Sequence, residues 1–184
     1  EQKILNDRLK TPFNRIMVHW HIKDFGKQSS ITGKVFEEGA QVHSILLKDS
    51  LEKELVRFDM LESELDDWQP SNSAVLLGRW SRQFSAEEKV LSKEERKDSA
   101  ENFFISLYDA ETVDKSMEEG RLLRYLFAIS LERNRILKSL PMKLGASVQT
   151  YVHVKTKRKF EVPIEIPSSE SVSKIESIIG DLLL

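Results

Sequence analysis

One segment of this chain is apolar all the way round a helix, and it restricts the possible folds more than any other feature. Between Leu122 and Ile129, large apolar side chains cover every azimuth of two helical turns, a pattern typical of a helix buried on all sides. The longest unbroken apolar run, from Tyr125 to Ile129, is far shorter than the ~20 residues that a membrane-spanning helix needs. The pattern therefore predicts a helix at the centre of a globular protein.

Composition limits the classes of function. The 184 residues are 40% hydrophobic and 32% charged, which is sufficient for a proper core. The formal net charge of −2 provides no overall field that would attract nucleic acid or an anionic membrane. The chain has no cysteine, which excludes disulfides, thiolate metal sites and cysteine nucleophiles. We expect a cytoplasmic protein that does not associate with a membrane.

The central helix is predicted to begin near Met117 and to continue to Leu140, because Pro141 cannot extend it. In its second half the apolar residues occupy a single stripe, while residues 132–135 carry groups that can form ion pairs along the helix. We interpret this charged turn as the place where the helix leaves the core.

Four segments in the first half alternate apolar and polar residues, as strands with one buried face do. Trp20 lies on the inner face of the first, and short polar turns separate the others. Consecutive strands with short connections favour an antiparallel meander. The predicted strands cover residues 16–23, 41–48, 55–59 and 73–80.

The second half is predicted to combine helices with a hairpin. Asp98 and Glu101 have the spacing of a capping box at the start of a helix. Alternating segments at 147–154 and 159–166 flank a basic turn and indicate a β-hairpin, in which Pro163 places the second strand at a sheet edge. A last amphipathic helix has an apolar stripe of Val172, Ile175, Ile178, Ile179 and Leu182.

These elements define an α+β protein. It has a small N-terminal antiparallel sheet, a central buried helix, and a C-terminal β-hairpin followed by an amphipathic helix. The predicted organisation is an N-terminal arm (1–14), a β module (15–80), a charged linker or solvated helix (81–97), and a helical and hairpin module (98–184). We expect the two modules to pack as one compact unit.

Two groups of residues form recognisable motifs, one in each half of the chain. Tyr125, Ala128, Leu131, Glu132, Arg133, Arg135, Leu137 and Lys138 fit the pattern Tyr-x-x-Ala-x-x-Leu-Glu-Arg-x-Arg-x-Leu-Lys. Trp20 begins a strand, Thr32, Gly33, Phe36 and Gly39 fit Thr-Gly-x-x-Phe-x-x-Gly, and Arg57 with Asp59 forms an Arg-x-Asp. Together these motifs resemble a family of uncharacterised bacterial proteins over about residues 18–183.

The resemblance implies a layout and no activity, because the function of the family is unknown. Some relatives carry cysteine pairs that look like zinc ligands near the first turn and after the Arg-x-Asp. The corresponding regions of this chain contain no thiol, so the resemblance does not extend to a metal site.

The first predicted strand contains a candidate metal site. His19 and His21 lie on one face of that strand, a spacing that can chelate zinc. His43 would complete the set if the following strand pairs beside them. The same face carries Met17 and Lys23, which favours an ordinary solvated surface. We therefore expect no metal and no other cofactor.

The tip of the predicted hairpin is strongly basic. Four positive charges fall within five residues, and such a tip can contact phosphate, while nearby Tyr151 and His153 can stack on bases. The alternative is an ordinary solvated tip that binds no ligand, since hairpin tips are polar in general. The basic residues are Lys155, Lys157, Arg158 and Lys159.

Arg133 and Arg135 in the charged turn are two residues apart, so on a helix their side chains diverge by about 200°. We expect one of them to pair with a carboxylate of the N-terminal half, and Asp59, beside Arg57, is the first choice. Such a pair would hold the N-terminal sheet to the C-terminal half of the protein.

No familiar catalytic motif is present in the sequence. The sequence therefore favours a non-catalytic interaction or structural protein whose partner is an unidentified protein. The alternatives are an RNA- or DNA-binding protein that uses the hairpin tip, and an enzyme of unrecognised type, since convergent active sites need not leave a linear motif.

Overall fold

The computed structural model describes residues 26–49, 54–86, 93–109, 117–179 and 182. Its mixed helices and antiparallel strands confirm the predicted α+β class. The predicted N-terminal arm, the first predicted strand and Trp20 lie outside the described residues. In chain order, the elements are β1 (Gln41–Asp49), β2 (Leu55–Leu61), α1 (Glu62–Leu65), β3 (Ala74–Gln83), α2 (Lys93–Asp109), α3 (Glu118–Arg133), β4 (Leu137–Ser139), β5 (Val148–His153), β6 (Lys159–Pro163) and α4 (Ser169–Ile179).

The N-terminal sheet has the strand order β2-β1-β3, so the predicted meander is wrong. β3 pairs with β1 rather than with β2. The reason lies in β1, which is buried on both faces: Leu46 belongs to the main core, while Ile45 and Leu47 belong to a second cluster with Met60. A strand that is apolar on both faces is stabilised most at the centre of a sheet.

The main core joins both sheets through the helices. It contains Leu46 of β1, Phe103 of α2, Phe127 of α3 and Phe160 of β6. α2 lies very close to β3 because Gly78 has no side chain: a Cβ at this position would overlap the Phe103 ring and lie 3.1 Å from Leu107. The division into two modules stays a prediction.

The central helix α3 ends at Arg133, and the prediction that it continues to Leu140 is wrong. Asn134 is the C-cap residue and Arg135 has φ = 61°, so the chain turns sharply there. Residues 137–139 then form β4, which pairs with β5. An isolated apolar stripe does not distinguish a helix from a strand, and here the sheet offers Leu137 the better burial.

The helix is also less uniformly buried than its sequence predicts. Leu126 is only half-buried, and so are Tyr125 and Ile129. Arg124, in contrast, is 3% exposed, and its Nη2 donates a hydrogen bond to the Leu107 carbonyl at 3.0 Å. Burial lowers the pKa of this guanidinium. The core therefore contains a cation.

The C-terminal elements agree with the sequence pattern. β5 and β6 form the predicted hairpin, and β6, which contains Pro163, is an edge strand. α4 buries Ile175 and Ile179, and Leu182 is also buried. One helix start differs from the prediction: α2 already includes Lys93, so Asp98 lies within the helix and does not cap it.

Candidate functional site

The pairing of β4 with β5 brings together two groups of basic residues that are distant in the sequence. Leu137 lies opposite His153. The pairing continues beyond β4, because the Val154 amide donates to the Ile136 carbonyl at 2.9 Å. Arg135 and Lys155 follow this hydrogen bond on the two chains, each in a turn, so the charged turn and the hairpin tip lie at the same end of the sheet.

A row across the sheet adds two more cations. Lys138, Val152 and Lys159 are cross-strand neighbours on β4, β5 and β6. Side chains alternate between the faces of a sheet, and since Tyr151 and Phe160 are buried on the inner face, this row points outward. With strands about 4.8 Å apart, the Cα atoms of Lys138 and Lys159 are separated by roughly 10 Å.

The exposed basic residues of the charged turn, of β4, of the hairpin tip and of the first position of β6 are called the basic strip below. All of its side chains are exposed. It comprises Arg133, Arg135, Lys138, Lys155, Lys157, Arg158 and Lys159.

Two members of the basic strip have partners within the protein. Lys157, at φ = 62°, donates from Nζ to the Val154 carbonyl at 2.6 Å. Arg158 pairs with Asp109 at 2.6 Å, and its guanidinium lies 4.9 Å from the centre of the Phe160 ring. The other five side chains make no hydrogen bond or ion pair with any described residue. Most of this charge is therefore available to a ligand.

The sequence contains a signal for this surface that motif searching missed. The 27 residues from Arg133 to Lys159 include eight lysines and arginines and no aspartate or glutamate. Lys138 was not predicted as a site residue, because only the strand register shows that it lies with the hairpin tip. A search for segments free of carboxylates would have found the region.

The predicted stacking role of Tyr151 and His153 is wrong. Their exposed fractions are 6% and 2%, since both point to the inner face of the sheet. His153 instead holds the tip: its Nδ1 accepts from the Thr156 amide at 3.0 Å, and its Nε2 lies 3.0 Å from Glu101 Oε1. A backbone donor requires an unprotonated Nδ1, so the proton of the neutral ring lies on Nε2 and is donated to Glu101.

The predicted ion pair between Asp59 and Arg133 or Arg135 does not form. The carboxylate of Asp59 accepts from Arg57 Nε at 2.9 Å and from the Ser44 hydroxyl. Both predicted partners are exposed instead. The prediction failed because it placed both arginines on a continuous helix, whereas the chain turns at Arg135 to join the sheet.

Other residues connect the two halves of the protein. Arg57 Nη1 donates to the Ile178 carbonyl in α4 at 3.3 Å, and its guanidinium lies 4.9 Å from the centre of the Trp80 ring. Lys48 of β1 pairs with Glu119 of α3 at 2.7 Å. Asp59 therefore contributes to a link between the halves, but it does so through Arg57.

The candidate metal site with His43 stays a hypothesis. β1, which contains His43, pairs with β2 on one side and with β3 on the other. His19 and His21 lie outside the described residues. Among the residues that are described, no three potential metal ligands come together. Burial lowers the pKa of His43; nearby Glu62 opposes this effect and Arg79 adds to it.

Comparison with known proteins gives no functional assignment for this chain. No family model, no curated protein and no solved structure matches this chain. The resemblance to a bacterial family therefore stays a prediction. No helix in the described parts of the chain has the length and hydrophobicity required to cross a bilayer.

Proposed function

We propose that this protein is a non-catalytic binding protein whose basic strip contacts the phosphate backbone of nucleic acid. The observation that carries the proposal is the pairing of β4 with β5, because it brings the charged turn and the hairpin tip to the same end of one sheet. Lysine and arginine side chains supply most of the affinity of proteins for nucleic acid by neutralising phosphates.

The character of the strip favours contact with phosphates over recognition of bases. Five of its cations have no partner among the described residues. The aromatic residues closest to it in sequence, Tyr151 and Phe160, are buried and cannot stack on a base. Recognition of single-stranded bases depends on such stacking. The expected binding is therefore independent of sequence and sensitive to salt.

The net charge of −2 is compatible with this function because the charges are unevenly distributed. The chain has 28 basic and 30 acidic residues, yet none of the acidic ones falls between Arg133 and Lys159. At physiological salt a charge acts over about 8 Å, so a phosphate at the strip responds to the local cations more than to the total charge.

The test measures binding of a fluorescent 20-base-pair DNA duplex by anisotropy at several salt concentrations. If each of the five free cations neutralises one phosphate, log K should fall against log salt with a slope of roughly −4 to −5. Replacing Arg135 and Lys155 by glutamine should reduce the magnitude of the slope by about two and weaken binding at low salt.

A matched control removes the same number of charges elsewhere. Lys143 lies in the loop at the opposite end of β5, and Lys34 lies in the N-terminal half; replacing both by glutamine should leave the slope unchanged. Equal losses in the two double variants, or no binding at low salt, would contradict the proposal. Binding to an acidic protein but not to DNA or RNA would instead support the broader hypothesis of a protein partner.

A further inference from the structure

A second surface contains polar side chains without partners, on the outer face of the N-terminal sheet. It is a groove of about 410 Å³ between β3 and α2. His43, Arg79, Ser81 and Asn102 line it, and their side chains make no hydrogen bond or ion pair with any described residue. The Nε2 atom of His43 is buried without a partner. This Nε2 atom calls for an explanation, because buried polar atoms normally have a hydrogen-bond partner.

The groove is built on rigid elements. α2 directs Asn102, Ile105, Ser106 and Asp109 to one side, since residues three, four and seven positions apart share a helix face. The Ser106 hydroxyl accepts from the Arg79 amide at 2.9 Å, which fixes α2 against the edge of β3. This bond uses only the backbone of Arg79, so the guanidinium is left free.

Part of the lining is apolar. Ile45 of β1, Leu65 of α1 and Ile105 of α2 contribute side chains to the lining. A volume of several hundred Å³ that combines apolar lining residues with a few polar groups is typical of small-molecule sites.

The charges and donors of the groove define the ligand. Arg79 is the cation among its lining residues, and its guanidinium can bind a carboxylate through two parallel hydrogen bonds. Ser81 and Asn102 add neutral donors. Asp109, whose carboxylate pairs with Arg158, lies in the same lining and disfavours a second negative charge. A ligand with one negative charge and an apolar body fits this set.

We infer that the groove binds a small monocarboxylic acid, with its carboxylate on Arg79 and its apolar body over Ile45 and Ile105. This site is separate from the basic strip and does not depend on the proposed contact with nucleic acid.

The test titrates the full chain with phenylacetate and follows the side-chain signals of Asn102 and the Nε–H of Arg79 by ¹H–¹⁵N NMR. Both signals should move and saturate, with a Kd on the order of 1 mM for so small a ligand. Phenylacetamide has the same shape without the charge, and it should bind at least about tenfold more weakly because the charge-assisted pair is lost.

Two variants separate this site from the strip. Arg79→Gln should weaken phenylacetate binding at least about tenfold, and its fold should persist because the residue is exposed. Arg135→Gln, in the basic strip, should leave binding unchanged. The inference is overturned if the amide binds equally well, if Arg79→Gln has no effect, or if only signals of the strip respond.

Discussion

Replacing Asp59 by asparagine tests the ion pair that connects the N-terminal sheet with the C-terminal helix. Asp59 Oδ1 lies 2.9 Å from Arg57 Nε, and the side chains are only 9% and 11% exposed. Unit charges about 4 Å apart in such a setting interact by about 4 kcal/mol at an effective dielectric constant of 20. Removing one partner of a buried pair typically costs about 3–5 kcal/mol. Asparagine keeps the shape and can still accept a hydrogen bond, so we expect a loss of about 3 kcal/mol in the free energy of unfolding.

Urea denaturation followed by circular dichroism gives this free energy. Asp109→Asn is the matched control, because the Asp109–Arg158 pair is 51% and 43% exposed and should contribute less than about 1 kcal/mol. Replacing both charges, as in Arg57→Met with Asp59→Leu, should recover part of the loss, since no charge is then left buried. A loss below about 1 kcal/mol for Asp59→Asn would refute the reasoning, because removing one partner of a buried ion pair should destabilise the protein by more than this.

Three further predictions concern the core and the N-terminal loop. Gly78→Ala should cost about 1–3 kcal/mol, because the added methyl group meets the Phe103 ring; unchanged urea denaturation would show that α2 can move away. Phe127→Ala should cost about 3–5 kcal/mol and the half-buried Leu126→Ala clearly less, and the reverse order would show that the burial is misassigned. Burial alone would raise the pKa of Glu64, but hydrogen bonds from the Thr32 and Ser29 hydroxyls and the Leu61 amide lower it overall. The contribution of ionised Glu64 to the free energy of unfolding is therefore complete above the ordinary pKa of 4.5 and is lost as the pH falls through the lowered value. Glu64→Gln should remove this part of the acid sensitivity, which urea denaturation at pH 7 and pH 3 measures.

Local patterns predicted the final helix and every strand of the described residues except β4, whereas pairing between strands determined β4 and the strand order. Alternation located β1, β2 and β3, but the order of the strands depends on the burial of β1 on both faces, which the apolar run from Ile45 to Leu47 already indicates. The end of α3 could not be read from its apolar stripe, since Leu137 suits a helix as well as a strand. Leu137 lies in a strand because it pairs with β5, which begins more than ten residues later in the sequence.

The candidate site was predicted in pieces. The four cations of the hairpin tip and the two arginines of the charged turn form separate patterns in the sequence, and nothing local shows that they lie at the same end of a sheet. The sequence shows Arg57 and Asp59 in an Arg-x-Asp motif, but it does not show that their side chains form a buried pair. Charge patterns identify such residues, but their partners depend on contacts between distant segments of the chain.

The hydrogen bond from Arg57 to the Ile178 carbonyl has a consequence for the order of events during synthesis. The two residues are 121 positions apart, and a ribosome needs on the order of 10 s to add that many residues. Throughout this time α4 is missing from the place where it will lie against Arg57 in β2, beside Asp59. The nascent sheet can therefore pair its strands early but cannot complete its packing, and chains interrupted before residue 169 should be preferred substrates for chaperones and proteases.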